Sequence, residues 1–361
     1  MNITLDNIIF SLQKSGGASN LWYQHVKRIL GEKNNILKVY EYNNSDQNIF
    51  RRLLDIPDHN LFKLNSNFIY LKRYMNLKLK EKDKYIFHSS HYRLSEDVNA
   101  INITTVHDFT YEHFVKGVRK KVHSFQKFNA ITNSQCIICV SENTKRDLLN
   151  FLPKIDESKI EVIYNGVDET FCVLKSRIDS IKLPFPDYEY LLYVGDRKSP
   201  YKNFSTVIDT CKKIRMPLII VGSPLTKNEE IYLNEQLGIK AYSLLSNISS
   251  EILNYVYNKA FCLIYPSLYE GFGIPIIESQ KAGCPVIAFK TSSIPEVIGD
   301  DGIALDDITS DSICDMLLNI KSKSSLRDNI IKSGIENAKR FSWDITYNNT
   351  INCYKKIQSN L

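Results

Sequence analysis

The chain has 361 residues, which is enough for two or three domains of ordinary size. Hydrophobic residues make up 43% and charged residues 24%, which excludes a disordered tail, a fibrous protein and a small disulfide-stapled protein. The net charge of +6 lies wholly in the first half, because residues 1–180 carry 26 basic and 20 acidic side chains and residues 181–361 carry 20 of each.

Short β-branched runs alternate with helical stretches along the chain, a pattern typical of parallel sheets covered by helices on both faces. We therefore predict an α/β fold. In the first half the predicted strands are 7–12, 36–40, 85–88, 101–106, 136–140 and 160–164. Residues 170–188 contain two prolines and little periodicity, which predicts a linker with a domain boundary near residue 178.

The second half repeats the pattern as a second doubly wound sheet. The predicted strands are 190–194, 218–222, 241–245, 261–265, 286–289 and 302–305. The predicted helices between them are 203–214, 229–237, 249–258, 275–282 and 310–321. The predicted domains are therefore 1–178, 179–340 and a terminal helical segment, 341–361, that packs back toward the first domain. Two such domains bind ligands in a cleft at the carboxyl ends of their strands.

Cysteine spacing and hydropathy argue against a zinc site, a disulfide framework and a membrane-spanning segment. The one CxxC, Cys136 to Cys139, lies in a predicted buried strand and has no second ligand pair, so we expect neither structural zinc nor a disulfide framework. No apolar run is long enough to span a membrane, and residues 1–10 lack the basic start of a signal peptide. We expect a cytoplasmic protein, or one at the inner face of the cytoplasmic membrane.

Three segments at predicted strand ends contain residues suited to ligand binding. Gly16 and Gly17 precede a helical run, where backbone amides can approach an anion, although a plain tight turn has the same sequence. Gly195 ends a strand and is followed by Arg197 and Lys202, two cations suited to a diphosphate or simply to solvent.

The third segment is the most specific. Its loop residues, Gly271, Phe272, Gly273 and Ile274, precede Pro275, which suits the first turn of a helix. Glu270 and Glu278 flank this bed of amides and can accept hydrogen bonds from sugar and ribose hydroxyls. A glycosidase-type carboxylate pair is the rival interpretation, but nothing in the spacing keeps one carboxyl protonated across a scissile bond.

These residues resemble the motifs of a retaining glycosyltransferase of family 4, which has two Rossmann-like domains in the GT-B architecture. Glu270 and Glu278 stand in the family's E-x7-E pattern, Arg197 and Lys202 match its phosphate-binding pair, and Gly16-Gly17 matches its N-terminal glycine loop. Further segments are similar over nearly the full length, namely 105–108, 140–144, 162–168 and 341–343. The subfamily that it resembles most builds bacterial surface polysaccharide, such as O-antigen or capsule, and includes mannosyltransferases.

The resemblance implies a nucleotide-diphosphate sugar as donor, with a GDP-mannose-like donor favoured over a UDP-sugar. It implies that Glu278 holds the ribose, that Arg197 and Lys202 neutralise the diphosphate, and that Glu270 with the following amides grips the sugar. His107, after the strand at 101–106, would face the reacting sugar, and Gly222 would lie near the nucleobase. No Asp-x-Asp motif is evident, so we expect neither a metal nor another cofactor.

The acceptor is expected in the first half, as a glycan or a lipid-linked glycan, with residues 88–93 as one candidate wall. Lysines 78, 80, 82 and 84, with Arg119, Lys120 and Lys121, could rest on anionic lipid, although solvated helix faces look alike. Nucleic acid is not expected, because no recognition motif is present. The alternatives are a sugar-nucleotide epimerase, a phosphorylase of the same architecture, or a glycan-binding scaffold without catalysis.

Overall fold

The computed structural model describes residues 1–32, 35–175 and 181–359. The chain divides into two compact units, of which the first comprises Met1–Gly166 together with the segment from Trp343 onward and the second comprises Val167–Ser342. Residue 178, where the domain boundary is predicted, lies outside the described residues. The described part of the predicted linker, 170–175 and 181–188, contains no helix or strand.

The described part of the first unit contains a seven-stranded parallel sheet in the order β3-β2-β1-β4-β5-β6-β7. Its strands are β1 Asn2–Asp6, β2 Ile36–Tyr42, β3 Leu61–Leu64, β4 Tyr85–Ser89, β5 Ala100–Val106, β6 Cys136–Cys139 and β7 Ile160–Val162. The helices around it are α1 Ile9–Leu12, α2 Gly17–Leu30, α3 Ile69–Lys72, α4 Thr110–Phe114, α5 Val118–Thr132 and α6 Glu142–Phe151. The central strands β4 and β5 are buried along their whole length, as covered parallel strands are.

The predicted strand at 7–12 is wrong. The first strand is Asn2–Asp6, and the apolar run Ile8-Ile9-Phe10 enters the short helix α1 instead. A short apolar run fits a buried strand and a buried helix equally well, and here the polar Asp6 and Asn7 mark the strand's end. The glycine pair at 16–17 therefore follows a helix and not a strand.

The second unit repeats the topology with a six-stranded parallel sheet in the order β10-β9-β8-β11-β12-β13, again counted over the described residues. Its strands are β8 Leu191–Val194, β9 Leu218–Val221, β10 Tyr242–Leu245, β11 Cys262–Tyr265, β12 Val286–Phe289 and β13 Ile303–Leu305. Its helices are α7 Phe204–Ile214, α8 Lys227–Gln236, α9 Ser250–Lys259, α10 Ile274–Lys281, α11 Ile294–Ile298, α12 Ser310–Ser322 and α13 Ser324–Ala338. Both orders are the Rossmann order, which confirms the predicted α/β class.

The last helix, α14 Trp343–Ser359, packs in the first unit. Ile351 and Tyr354 join the same buried cluster as Trp22 and Val26 of α2, and the Thr346 hydroxyl donates to the Tyr164 carbonyl. The helix thus completes the core of the first unit although it follows the second in sequence. None of the helices in the described ranges combines the length and the apolar character that a membrane crossing requires.

Candidate active site

The strand order reverses between β1 and β4 in the first sheet and between β8 and β11 in the second. In open parallel sheets the crevice at such a reversal, beyond the carboxyl ends of the strands, is where ligands bind. Gly195 to Lys202 follow β8, and residues 266–273 follow β11. The fold therefore brings the two predicted donor-binding loops to the reversal point of the second unit.

Glu270 is the centre of a buried hydrogen-bonded group. Its Oε1 accepts from Lys202 Nζ at 2.6 Å and from the Tyr265 hydroxyl at 2.7 Å. Burial, and then the neighbouring Glu270 carboxylate, raise the pKa of Tyr265 well above its ordinary value, so this hydroxyl stays protonated and donates. Within the described residues Oε2 makes no hydrogen bond, which leaves one carboxylate oxygen for a ligand hydroxyl.

The loop after Glu270 is fixed by two serines that follow β12. The Ser293 hydroxyl donates to the carbonyls of Glu270 and Phe272, and the Ser292 hydroxyl accepts from the Glu270 amide at 2.9 Å. Gly273, the residue before α10, has φ +103°, a conformation that side chains rarely adopt. Gly271, Phe272, Gly273 and Ile274 are thus held in one shape directly before a helix N-terminus.

Arg197 is buried at the ends of β8 and β9. Its Nη2 donates to the Ser223 carbonyl at 2.8 Å and its Nε to Glu229 at 3.3 Å, but Nη1 is buried without a partner among the described residues. Gly222 makes room for it, because a Cβ there would lie 3.1 Å from Nη1 and 2.7 Å from the Gly195 carbonyl oxygen. A buried guanidinium with an unused donor suits an anionic ligand.

Glu278 lies one turn into α10 and accepts a hydrogen bond from the Tyr257 hydroxyl at 3.0 Å. Burial raises its pKa to about 7, and the hydrogen bond from Tyr257 opposes that shift. In the unliganded chain the carboxyl group is therefore close to half protonated at neutral pH. A ligand with hydroxyl donors would favour the ionised form.

Sequence reasoning missed four residues that hold the predicted ones in place: Tyr257, Tyr265, Ser292 and Ser293. Tyr265 ends a buried strand five residues before Glu270, and that position was the one signal available in the sequence. Tyr257 reaches Glu278 because α9 packs on α10, a tertiary contact with no local pattern. The carboxylates are therefore positioned by hydroxyl groups from other elements.

The first unit places Gly16 and Gly17 at the start of α2, near the end of β1. The Gly16 carbonyl accepts from the Ser19 hydroxyl and the Asn20 amide, which closes the first turn of the helix. The fourteen-residue α2 has its N-terminus here. The position fits an anion-binding turn.

His107 directly follows β5 and is half-buried. Burial lowers its pKa, with the neighbouring Asp108 opposing the shift, so the ring is neutral at pH 7. The turn is held by the fully buried Lys127 of α5, whose Nζ donates to the Asp108 carbonyl at 2.7 Å and to Glu112 Oε2 at 2.6 Å. His107 is thus presented at a strand end by a buried ion pair.

Much of the candidate acceptor wall at 88–93 is buried. The Ser89 hydroxyl donates to the Asp6 carboxylate at 2.7 Å, the Ser90 hydroxyl to the Asp6 carbonyl, and Arg93 lies 3.5 Å from the same carboxylate. Burial raises the pKa of Asp6, and Arg93 and Ser89 oppose the shift. These side chains fasten β4 to β1, and of the segment only His91 is partly exposed.

Within the described ranges no three His, Cys, Asp or Glu side chains converge as a metal site would require. Cys136 and Cys139 are both buried in β6 as free thiols.

Two family profiles match the chain. The one described as Glycosyltransferase Family 4 matches residues 21–171, and the one described as Glycosyl transferases group 1 matches residues 175–337. Together they cover most of the motif residues, whereas Gly16, Gly17 and residues 341–343 lie outside the matched ranges.

The chain is similar to O-antigen chain mannosyltransferase B of Escherichia coli, at 26% identity over 77% of this chain and 76% of that one. Other curated relatives are matched over 53%, 58% and 63% of their own length. Sucrose-phosphate synthase from Thermosynechococcus elongatus has TM-score 0.76 at 15% identity, covering 100% of both chains. HepE from Anabaena in complex with UDP has TM-score 0.72 at 16% identity, covering 98% of this chain and 99% of that one. At these identities the two structures show the fold alone, which is GT-B.

Proposed function

We propose that this chain, which belongs to glycosyltransferase family 4, moves a hexose from a nucleotide-diphosphate sugar to a glycan or lipid-linked glycan, with retention of configuration and without a metal ion. The observation that carries the proposal is that the second unit holds two ligand groups without partners. Arg197 Nη1 is a buried donor without a partner, and Glu270 Oε2 is a carboxylate oxygen without one, within the described residues. A diphosphate and a sugar hydroxyl supply the two missing partners.

The chemistry follows from where charge develops. Breaking the bond between the anomeric carbon and the phosphate oxygen leaves negative charge on the nucleotide diphosphate and positive character on the sugar. Arg197 and Lys202 are fixed cations that stabilise the leaving diphosphate, and a preorganised donor of this kind is worth about a hundredfold to a thousandfold in rate. Because cations of the chain neutralise the charge, a divalent ion is not needed.

The other second-unit residues bind and orient the donor. Glu270, held by Tyr265, accepts from hydroxyls of the transferred sugar, and Glu278 accepts from the ribose hydroxyls. The amides of Gly271 to Ile274 bind the sugar, Gly195 leaves space for the nucleotide, and Gly222 leaves the room that Arg197 occupies beside it. From the first unit, His107 contributes a neutral ring that hydrogen-bonds the sugar, and the turn at Gly16 and Gly17 supplies amides for a phosphate oxygen.

Retention is proposed without a covalent intermediate. The acceptor hydroxyl attacks the face that the diphosphate leaves, and the departing phosphate takes the acceptor's proton. In this scheme Glu270 is not the nucleophile, because its Oε1 is bonded to Lys202 and Tyr265 and its Oε2 accepts a hydroxyl of the transferred sugar.

A GDP-mannose-like donor is favoured because the relative aligned over three-quarters of the chain is named as an O-antigen chain mannosyltransferase. A UDP-sugar is the second choice, since HepE, which has the same fold, was solved with UDP. The same relative supports an acceptor in bacterial surface polysaccharide synthesis. An acceptor carried on a lipid would bring the chain to the inner face of the cytoplasmic membrane, which the basic first half favours.

The test is a transfer assay with GDP-mannose and UDP-glucose, each with EDTA, on lipid-linked and free glycan acceptors. We expect transfer from one of the donors, undiminished by EDTA, and the anomeric configuration of the donor in the product's NMR spectrum. Transfer that EDTA abolishes, or an inverted product, would overturn the corresponding part of the proposal. An exposed-lysine variant, Lys198→Ala, serves as the control for the loss of a charge near the site.

A further inference from the structure

We propose that the first unit carries a docking surface for an anionic lipid bilayer, formed by residues 68–75 and 110–125. We call this surface the aromatic-basic patch. Its purpose, delivery of the chain to an acceptor carried on lipid, rests on the proposed function, whereas its binding to a bilayer can be measured without any substrate.

Large apolar side chains are exposed throughout the patch. Phe68 is 77% exposed, Val118 76% and Phe125 76%. The other exposed apolar side chains of the patch are Tyr70, Leu71, Tyr74, Met75, Tyr111, Phe114 and Val122. Single exposed apolar residues are normal on a protein surface, but a group of them marks an interaction site.

Contacts beside the patch join its two segments into one surface. The Gln126 side-chain amide, at the end of the second segment, donates to the Arg73 carbonyl of the first. The Arg73 guanidinium lies 2.9 Å from the His91 ring, and the Tyr111 ring stacks on His123 of α5 at 3.9 Å. The turn after α3 and the helices α4 and α5 therefore lie side by side.

The exposed charge on the patch has one sign. Its cations, all at least partly exposed, are Lys72, Arg73, Lys116, Arg119, Lys120 and Lys121. The single acidic residue of the two segments, Glu112, is buried and paired with Lys127. Apolar and aromatic side chains ringed by cations match an anionic bilayer, in which the rings enter the headgroup layer and the cations meet lipid phosphates.

The lysines at 78–84, a second candidate for lipid contact in the sequence, fit an anionic bilayer less well than the patch does. Glu81 and Asp83 alternate with them, and Glu81 is bonded to Lys38 at 2.6 Å, so four lysines leave a net charge of +2. The patch carries six cations with no exposed acid. We therefore assign the bilayer contact to the patch.

The patch borders the acceptor side of the first unit. Arg73 contacts His91, which follows β4 at the point where the first sheet's strand order reverses. A bilayer bound at the patch would thus lie beside the strand ends where we expect the acceptor. The same surface that anchors the chain would present it to lipid-carried substrate.

The experiment is co-sedimentation of the full chain with vesicles of phosphatidylcholine alone or with phosphatidylglycerol, at low and at high salt. Wild type should partition onto the anionic vesicles and be released by salt, because the interaction is partly electrostatic. The apolar variant is Phe68→Ser/Leu71→Ser/Val118→Ser/Phe125→Ser, and we expect it to lose about tenfold in partition coefficient. The charge variant is Lys116→Glu/Arg119→Glu/Lys121→Glu, and we expect it to lose about a hundredfold.

Matched controls make the same kinds of substitution at exposed residues outside the patch. Val98→Ser/Ile231→Ser/Ile239→Ser/Leu318→Ser removes four other exposed apolar side chains, and Lys78→Glu/Lys80→Glu/Lys82→Glu reverses the neighbouring lysines. The partition coefficient of the apolar control should lie within about twofold of the wild-type value. That of the lysine control should fall by no more than about tenfold. All variants replace exposed side chains, and their folding is checked by thermal melting.

Wild type that stays in solution with anionic vesicles, or patch variants that bind as well as wild type, would overturn the proposal. So would a concentration-dependent dimer that the patch variants dissociate while vesicle binding stays unchanged, since the patch would then bind a second copy. GDP and UDP binding is measured on the same samples, because its absence in wild type counts against the proposed function and not against the patch.

Discussion

The two reversal points of the molecule have the same strand order around them and present different side chains. In the second unit the loops after β8 and β11 carry Arg197, which pairs with Glu229 and keeps an unused Nη1, and Lys202 and Glu270, which pair with each other. In the first unit the strand ends at the reversal carry Asp6, whose carboxylate accepts from Ser89 and lies 3.5 Å from Arg93, and the next strand, β5, ends at the neutral His107. The same backbone topology therefore offers one site with an unused buried guanidinium donor, suited to a diphosphate, and one whose guanidinium and carboxylate pair with each other near a neutral histidine.

Buried ion pairs make the same contrast. Lys127 and Glu112 in the first unit satisfy each other and the neighbouring turn, whereas Arg197 in the second unit keeps an unused Nη1 beside its partner Glu229. A buried pair whose partners are complete fixes a fold, and a pair with an unused donor is ready for a ligand. The difference yields four predictions.

The largest effect is expected at Lys127, whose ion pair with Glu112 has a purely structural role. Lys127→Met should lower the free energy of unfolding by about 4 kcal/mol, because it leaves the Glu112 carboxylate buried without its cation. Burial alone would raise the pKa of Glu112, but the neighbouring His123 ring, the Lys127 ammonium and the Ser124 hydroxyl hold it at about 2. Urea titration measures the loss. Lys121→Met on the exposed face of α5 is the control, and a loss as small as the control's would refute the structural role.

The next effect tests the charged site of the second unit. Lys202→Ala should lower the rate of transfer by about a hundredfold to a thousandfold, because it removes a fixed cation from the leaving diphosphate. Steady-state kinetics measure it, with Lys198→Ala, an exposed lysine of the same loop, expected to change the rate by less than about twofold. Equal rates in both variants would remove Lys202 from the mechanism.

Glu278→Gln should stabilise the unliganded chain and weaken nucleotide binding. The folded carboxyl has a pKa of about 7 against 4.5 for a free one, so its contribution to stability is full below pH 4.5 and lost as pH rises through 7. Between pH 5 and pH 8 wild type should therefore lose up to about 3 kcal/mol relative to the variant. Melting curves at the two pH values measure this.

The same variant should bind the nucleotide at least about tenfold more weakly, since a neutral amide accepts ribose hydroxyls less strongly than a carboxylate. Glu230→Gln, on the surface of the same unit, is the control for both readings. A variant that melts like wild type at both pH values would contradict the buried, half-protonated carboxyl.

The smallest effect tests the neutral His107 of the first unit. His107→Asn should lower transfer by about tenfold, the worth of one hydrogen bond, and leave GDP or UDP affinity unchanged. Calorimetry and kinetics on one sample separate the two. Loss of nucleotide affinity in this variant, with no change in the exposed control His59→Asn, would show that His107 contacts the nucleotide and not the sugar.

Prediction from sequence was better in the second unit, for physical reasons. All six of its strands were predicted to within one residue at each end, because covered parallel strands are continuous β-branched runs bounded by Gly and Pro. In the first unit, β3 was missed, since this edge strand is short and largely exposed, and the strand at 7–12 was wrong. Of the second unit, two helices were missed, α11 and α13, because serine, proline and glycine weaken their local signal.

The site residues divide in the same way. Glu270 and Lys202 were predicted from a motif and meet at 2.6 Å, although their separation by 68 residues gave no geometric reason for the contact. Tyr257 and Ser293 could not be predicted, because they act through packing between elements that the sequence does not pair, whereas Tyr265 had one signal, its position at a strand end five residues before Glu270. The aromatic-basic patch was predicted in part: Arg119, Lys120 and Lys121 were singled out, but not the apolar side chains that the fold leaves exposed beside them.

The central claim is that the second unit binds a nucleoside diphosphate with its own cations. The most direct measurement is isothermal titration of GDP and UDP into the wild type and the Arg197→Ala variant, both in EDTA. The account predicts saturable binding of one nucleotide by the wild type and at least about a tenfold weaker affinity in the variant. Binding that appears only when a divalent metal is added, or that Arg197→Ala leaves unchanged, would contradict it.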